Sequence, residues 1–160
     1  MAQLRVGILT CSDSRSSGEA EDTAGAALSE AVSELGWDPF ACAIVADDAG
    51  VIAAAIGRMA EDGADIVLTC GGTGFGPRDV TPEATLSVCD RAAPGIAEAI
   101  RAQSMAVTRR AMLSRGVACL RGKTLVVNLP GSRRAALESF GFVADQLEHA
   151  VDMMAGGGHG

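Results

Sequence analysis

The sequence predicts an α/β domain: a three-layer sandwich in which helices cover both faces of a mostly parallel central sheet. Three observations predict it. Short, apolar, β-rich runs alternate along the chain with helical stretches built on Ala, Leu, Ile and Val. The run "ADIVLTC" at 64–70 is apolar through its centre, as a strand covered on both faces must be. The chain has 160 residues, 48% of them hydrophobic, and at this length a single core buries roughly 70% of the unfolded surface. Residues 1–155 are expected to form that one domain, and "GGGHG" at 156–160 reads as a flexible tail in which His159 carries no role.

Each element has its own local reason. "LRVGILT" at Leu4 to Thr10 opens the sheet, and Ser12 to Gly25 is expected as a polar loop running into a helix. Asp22 is the N-cap of that helix, and "AGAALSEAVSELG" sets Leu28, Val32 and Leu35 on one face before Gly36 ends it. "WDPFACAIVA" at Trp37 to Ala46 is a second strand, with Pro39 marking it as an edge. Asp47 and Asp48 precede "AGVIAAAIGRMAEDG", a helix that one of them should cap and Gly63 should end. After the third strand and a glycine-rich loop, Thr81 is expected to cap a helix with Pro82 first and Glu83 in its first turn. "APGIAEAIRAQSMA" continues as helix, and "GVACLRGKTLVVNLPG" reads as two strands around a turn near Arg121 to Lys123. Ser132 then caps a long terminal helix.

Composition narrows the function classes. A net charge of −7 and an isoelectric point of about 4.7 repel a polyanionic duplex at long range. Aromatics are 3% with no tyrosine, so stacking on single-stranded bases is also excluded. A small phosphorylated ligand remains compatible, provided that amides, arginines or a divalent cation supply local positive charge. The five cysteines form no CxxC pair, and Cys11, Cys42 and Cys70 fall in apolar runs as small hydrophobes. No disulfide framework is expected, which suits a reducing cytoplasm. No run approaches the ~18 apolar residues of a spanning helix, and the amino-terminal apolar run is too short for a signal peptide.

In a parallel sheet, ligands bind beyond the carboxyl ends of the strands. Three segments leave strand ends with unusual polar or glycine content: "CSDSRSSGEAEDT", "CGGTGFGPRD" and "NLPGSR". A fourth strand end delivers Asp47 and Asp48. Gly71, Gly72, Gly74 and Gly76 do not fit G-x-G-x-x-G, because Pro77 takes the third glycine position, and "GKT" at 122–124 lacks the P-loop's first glycine. What remains is a loop able to turn several N–H groups into one concavity, with Asp79 and a helix start just beyond it. That suits phosphate plus magnesium, which is held by one or two carboxylates and by the ligand's own phosphates. The competing reading is a tight turn followed by a cap. Asn128 either contacts a ligand or satisfies neighbouring backbone, and Arg133 and Arg134 either face an anion or are solvated. His149 reads as structural, and no covalent nucleophile is legible.

"LTCGGTGFGPRDVTPEAT" closely resembles the signature of the MoaB/Mog family of molybdenum-cofactor biosynthesis proteins, whose active members are molybdopterin adenylyltransferases. The resemblance extends to "ILTCSDSRSSGEAEDTAG", to the aspartate after the second strand and to "NLPGSRRAALE". It implies a MoaB/Mog-like fold, a cytoplasmic homotrimer, and molybdopterin and Mg-ATP as substrates, with the downstream molybdate-inserting enzyme as a partner. The implied reaction moves AMP from Mg-ATP to the terminal phosphate of molybdopterin and releases pyrophosphate. Matched by motif, Asp47 and Asp79 would be catalytic and hold magnesium. Gly71, Gly72, Thr73 and Gly74 would cradle phosphate, and Asp13, Ser14, Asn128, Pro130, Gly131 and Ser132 would line the substrate crevice. Ser132 and Arg133 stand where family members often carry a polar residue and proline, so the pterin side is the less closely matched. Two other readings are a non-catalytic molybdopterin-binding or scaffold protein of the same fold, and a hydrolase of nucleotide-like pyrophosphates.

Overall fold

A computed structural model describes residues 3–157; residues 158–160, including His159, lie outside it. The chain runs β1 (Arg5–Cys11), α1 (Asp13–Ser16), α2 (Thr23–Glu34), β2 (Asp38–Val45), α3 (Ala49–Glu61), β3 (Ile66–Cys70) and α4 (Thr81–Ser87). It continues through β4 (Arg91–Ala92), α5 (Pro94–Met105), a 3-10 turn at Arg109–Leu113, β5 (Ala118–Arg121), β6 (Thr124–Leu129) and α6 (Arg133–Met154).

The six strands form one sheet in the order β2-β1-β3-β6-β5-β4. β2, β1, β3 and β6 are mutually parallel, whereas β5 and β4 run antiparallel beside β6. The mostly parallel sheet is therefore as the sequence predicts, and β2, with Pro39, lies at its edge. Alternation along the strands divides the core in two. Val6, Ile8, Ile66, Leu68 and Val127 meet Leu28 and Val32 of α2, Ile100 of α5 and Phe140 and Leu147 of α6. Leu9, Val67 and Val126 point the other way, onto Ile52, Ile56 and Met59 of α3 and Ala84 of α4. These are the three layers. The scarce aromatics are concentrated on the first face, where Trp37 meets Phe140 edge to face at 6.2 Å.

Local capping chemistry holds at three helices. Asp22 accepts from Gly25 N at 2.9 Å, Asp48 from Val51 N at 3.0 Å and Ser132 from Ala135 N at 3.2 Å. At α4 the expectation is corrected. Val80 occupies the cap position, and Thr81 is already helical, donating its N–H to Gly72 O at 3.1 Å. The loop itself thus starts that helix, where a side-chain cap was expected. The polar segment after β1 is also less irregular than expected: Ser12 caps the short α1 by accepting from Arg15 N.

Two cysteine expectations change as well. Cys89, just beyond α4, forms a disulfide with Cys119 on β5, so the chain does carry a cross-link between residues 30 apart. Cys11 and Cys70 are buried as small hydrophobes, whereas Cys42 on the edge strand is exposed. Among the described residues no helix is long and apolar enough to cross a membrane.

Candidate functional site

After β1 the chain moves to β2 on one side, then crosses back over β1 to β3 on the other. The carboxyl ends of β1 and β3 therefore flank the switch point of the sheet, where connecting loops diverge and leave a crevice. The loops after β1, β2, β3 and β6 all meet there. Ser12 N donates to Val45 O at 2.9 Å, Gly71 N to Leu129 O at 3.1 Å and Arg15 Nη1 to Gly131 O at 2.8 Å. A Cβ on Gly131 would stand 3.2 Å from Gly71 Cα, so the loops after β3 and β6 touch backbone to backbone.

The glycine loop turns on two left-handed residues, Gly71 at φ +100° and Gly72 at φ +69°. The Gly71 N–H, expected to face phosphate, is given to Leu129 O. The next three amides, of Gly72, Thr73 and Gly74, donate to nothing among the described residues. Consecutive free N–H groups of this kind form an anion-binding concavity.

Asp47 and Asp13 are locked to each other across the rim. Asp13 N donates to Asp47 Oδ2 and Asp47 N to Asp13 Oδ1, both at 3.0 Å. Arg78 closes the same corner, its Nε and Nη2 each 3.0 Å from an Asp13 oxygen. Both Asp13 oxygens hold Asp47 N and the Arg78 guanidinium at this corner. Its carboxyl lies below the ordinary range because of the Arg78 hydrogen bonds and then the Asp47 N–H. Asp47 is displaced the other way. Burial raises it first, and the negative charges of Asp13 and Asp79 add to that push, while the Asp13 N–H offsets part of it. Both carboxylates border the glycine loop: a Cβ on Gly72 would stand 3.1 Å from Asp47 Oδ1, and one on Gly74 3.0 Å from Asp79 Oδ2. Asp47 Oδ1 is buried without a hydrogen-bond partner, a costly state for an ionised oxygen. Asp79 Oδ2 accepts from Gly76 N at 2.8 Å, fixing its side chain against the loop and leaving its other oxygen free.

The remaining predicted residues divide. Ser14 is exposed, its hydroxyl 3.2 Å from that of Ser12. Thr73 is buried at the head of the glycine loop, and Gly131 seats that loop. Ser132 spends its hydroxyl on capping α6. Asn128 is a correction. It is 4% exposed, and Nδ2 donates to Thr69 Oγ1 at 2.9 Å and Thr85 Oγ1 at 3.0 Å, while Oδ1 accepts from Val117 N at 3.1 Å. Both amide ends face protein, so Asn128 ties β6 to β3, to α4 and to the segment before β5, and does not reach the crevice. Arg134 pairs with Glu138 one turn along α6 at 2.8 Å, and its side chain is 83% exposed: the solvated reading holds for it.

Sequence reasoning missed three features. Arg78 was not singled out. Arg115, from the irregular segment after α5, reaches the glycine loop. A cavity of about 420 Å³ with mostly apolar walls opens beside that loop, between Thr73, Gly74, Ile100, Leu113, Pro130 and Ser139. Its lining comes from four separate segments, so no single motif announces it. The buried thiols near the rim are chemically quiet, since burial pushes Cys11 up to about 12 and Cys70 to about 11.

A mostly parallel sheet with helices on both faces and its loops gathered at a switch point defines a doubly wound α/β protein. The family described as "Probable molybdopterin binding domain" matches residues 7–149. The molybdopterin adenylyltransferase of Helicobacter pylori strain J99 is 38% identical over 159 residues, covering 98% of this chain and 90% of that protein. The molybdopterin adenylyltransferase of Escherichia coli K12 is 36% identical, covering 94% and 79%. Among solved structures, the molybdopterin biosynthesis enzyme MoaB of Thermus thermophilus superposes with a TM-score of 0.91 at 43% identity, covering 96% of this chain and 98% of that one. The molybdopterin biosynthesis Mog protein of Mycobacterium ulcerans superposes at 0.89 with 35% identity, covering 96% and 99%. The chain belongs to the MoaB/Mog family of molybdenum-cofactor biosynthesis proteins.

Proposed function

We propose that this protein is a molybdopterin adenylyltransferase that transfers AMP from Mg-ATP to the terminal phosphate of molybdopterin and releases pyrophosphate. The observation that carries the reading is the juxtaposition at the switch point: three unspent amides of Gly72, Thr73 and Gly74 in a loop against which the carboxylates of Asp47 and Asp79 both stand. Amides alone suit an anion and carboxylates alone repel one. Together they suit an anion that arrives with a cation.

The donor set fits magnesium. Asp47 Oδ1 is an orphaned hard oxygen, and Asp79 offers a second. Among the described residues no group of three or more His, Cys, Asp or Glu side chains could hold a metal by itself. That too suits magnesium, which keeps waters and ligand phosphates in its shell. Bound there, the ion would neutralise triphosphate charge and help orient the α-phosphorus. The chain's own residues do the rest. The free amides fix the phosphates, Asp13, itself braced by Arg78, holds Asp47 in place, and the neighbouring cavity accommodates a ring system of the substrates. No side chain here needs to form a covalent intermediate, because the molybdopterin phosphate is itself the nucleophile. The same reading carries homotrimeric assembly, a cytoplasmic location and hand-over of the product to the molybdate-inserting enzyme. The Cys89–Cys119 bond removes the lack of a disulfide as an argument for that location.

The test follows the label. With ATP labelled at the α-phosphorus, the adenylylated pterin is expected to carry the label; with γ-label, it should leave in pyrophosphate. AMP released at the same rate without pterin would support the hydrolase reading, and no nucleotide turnover at all would support the pterin-binding one.

A further inference from the structure

We propose that Arg115 is a positioning residue of this site, setting the glycine loop and Asp79 for phosphate transfer; the inference rests on the adenylyltransferase reading. The loop from Gly74 to Asp79 leaves the body of the protein, with Phe75 70% exposed. It has two internal ties, Gly76 N to Asp79 Oδ2 and Asp79 N to Gly76 O. Those ties shape the turn without fixing where it stands relative to the sheet. Arg115 supplies that connection. Its backbone N–H donates to Thr73 O at 2.8 Å, Nε to Gly74 O at 2.8 Å and Nη2 to Asp79 O at 2.7 Å. One residue thereby grips the loop where it departs and where it returns.

Arg115 is itself held from behind. Nη1 meets Glu83 Oε2 on α4 at 2.6 Å, and Arg101 of α5 donates to Gly116 O at 2.7 Å. Val117 N is fastened to Asn128 Oδ1 on β6. The clamp therefore refers the loop to α4, α5 and the sheet together. The Glu83 pair is largely solvated, its carboxylate side chain 56% exposed, so its own contribution to stability is small and its use is to orient the guanidinium. Gly74 O and Asp79 O are bound by different nitrogens of the one guanidinium. A planar fork with donors at Nε and both Nη atoms can serve both at once, whereas an ammonium, a point donor on a flexible stem, cannot.

Arg115→Lys keeps the charge and removes the fork, and Arg115→Ala opens a space that methylguanidinium can enter. For Arg115→Lys, kcat is expected to fall roughly 10²-fold while KM for molybdopterin moves less than about threefold, as displacement of a reacting group predicts. Amide exchange at Gly76 and Asp79, whose N–H groups are bonded within the loop, should accelerate, with exchange in β1, β3 and β6 unchanged. Millimolar methylguanidinium should restore part of the kcat of Arg115→Ala. Wild-type kcat in Arg115→Lys, a loss of kcat without faster loop exchange, failed rescue of Arg115→Ala, or faster exchange throughout the core would each overturn the proposal. The exchange measurement needs no turnover. An inactive wild-type protein would therefore count against the activity, and an unchanged loop in Arg115→Lys against the clamp.

Discussion

Asp79→Ala is expected to reduce AMP transfer by at least about 10³-fold, roughly 4 kcal/mol of transition-state stabilisation, while leaving the protein folded. The size of the effect follows from what Asp79 does not do structurally. One of its oxygens accepts a single exposed loop N–H, from Gly76, worth about 1–2 kcal/mol to stability, and it supports no helix or strand. Its other oxygen has no hydrogen-bond partner among the described residues, and its carboxylate stands against the glycine loop that Asp47 also borders. Asp79→Asn separates the two duties: it retains an acceptor for Gly76 N and loses the charge. The account expects Asp79→Asn to be nearly as inactive as Asp79→Ala, with circular dichroism and melting close to wild type. Asp47→Ala should be equally inactive but less innocent structurally, because Asp47 Oδ2 also accepts the amide that starts α1. Transfer at the wild-type rate by either Asp79 variant would remove the aspartate from the chemistry.

Gly72→Ala is the second large effect, and it acts by geometry. Gly72 sits at φ +69°, a region that costs a residue with a Cβ about 1–2 kcal/mol. The added methyl would press on Thr81 Oγ1, buried in the first turn of α4, and come within 3.1 Å of Asp47 Oδ1. Neither neighbour can retreat easily, since Thr81 is fully buried and Asp47 is fastened to Asp13. The expected outcome is a melting temperature lower by roughly 4–8 °C for a loss of about 2 kcal/mol, and AMP transfer reduced as severely as by Asp79→Ala. Gly71→Ala should damage folding more and tell less about the site. Its methyl would meet the carbonyl of Cys11, a backbone group inside β1 that cannot rotate away. A Gly72→Ala protein with unchanged melting and unchanged transfer would show that the loop is only a turn.

What the sequence made legible was local. Asp22, Asp48 and Ser132 each cap a helix through an amide three residues along, a reach that a short window of sequence contains. The apolar runs gave the parallel strands to within a residue or two, and their polar exits gave the rim. What stayed hidden depends on partners far along the chain. Asn128 looks like a ligand contact until Thr69 and Thr85, 59 and 43 residues away, are found to occupy its amide. Arg115 looks like an ordinary surface charge until it meets loop carbonyls 36 and 41 residues distant. Thr81 reads as a cap because its neighbours Pro82 and Glu83 say so, yet the Gly72 carbonyl takes its N–H and moves the helix start by one residue. The Cys89–Cys119 bond is of the same kind, joining two thiols that no spacing rule connects. β4, two residues long, exists only because β5 offers it an edge.

The most direct test of the central claim is anomalous diffraction from crystals of the protein soaked with Mn2+ and a non-hydrolysable ATP analogue. The account predicts one manganese peak in contact with Asp47 and Asp79, and phosphate oxygens within hydrogen-bond reach of the Gly72, Thr73 and Gly74 amides. A nucleotide seated elsewhere on the protein, or a metal touching neither aspartate, would contradict it.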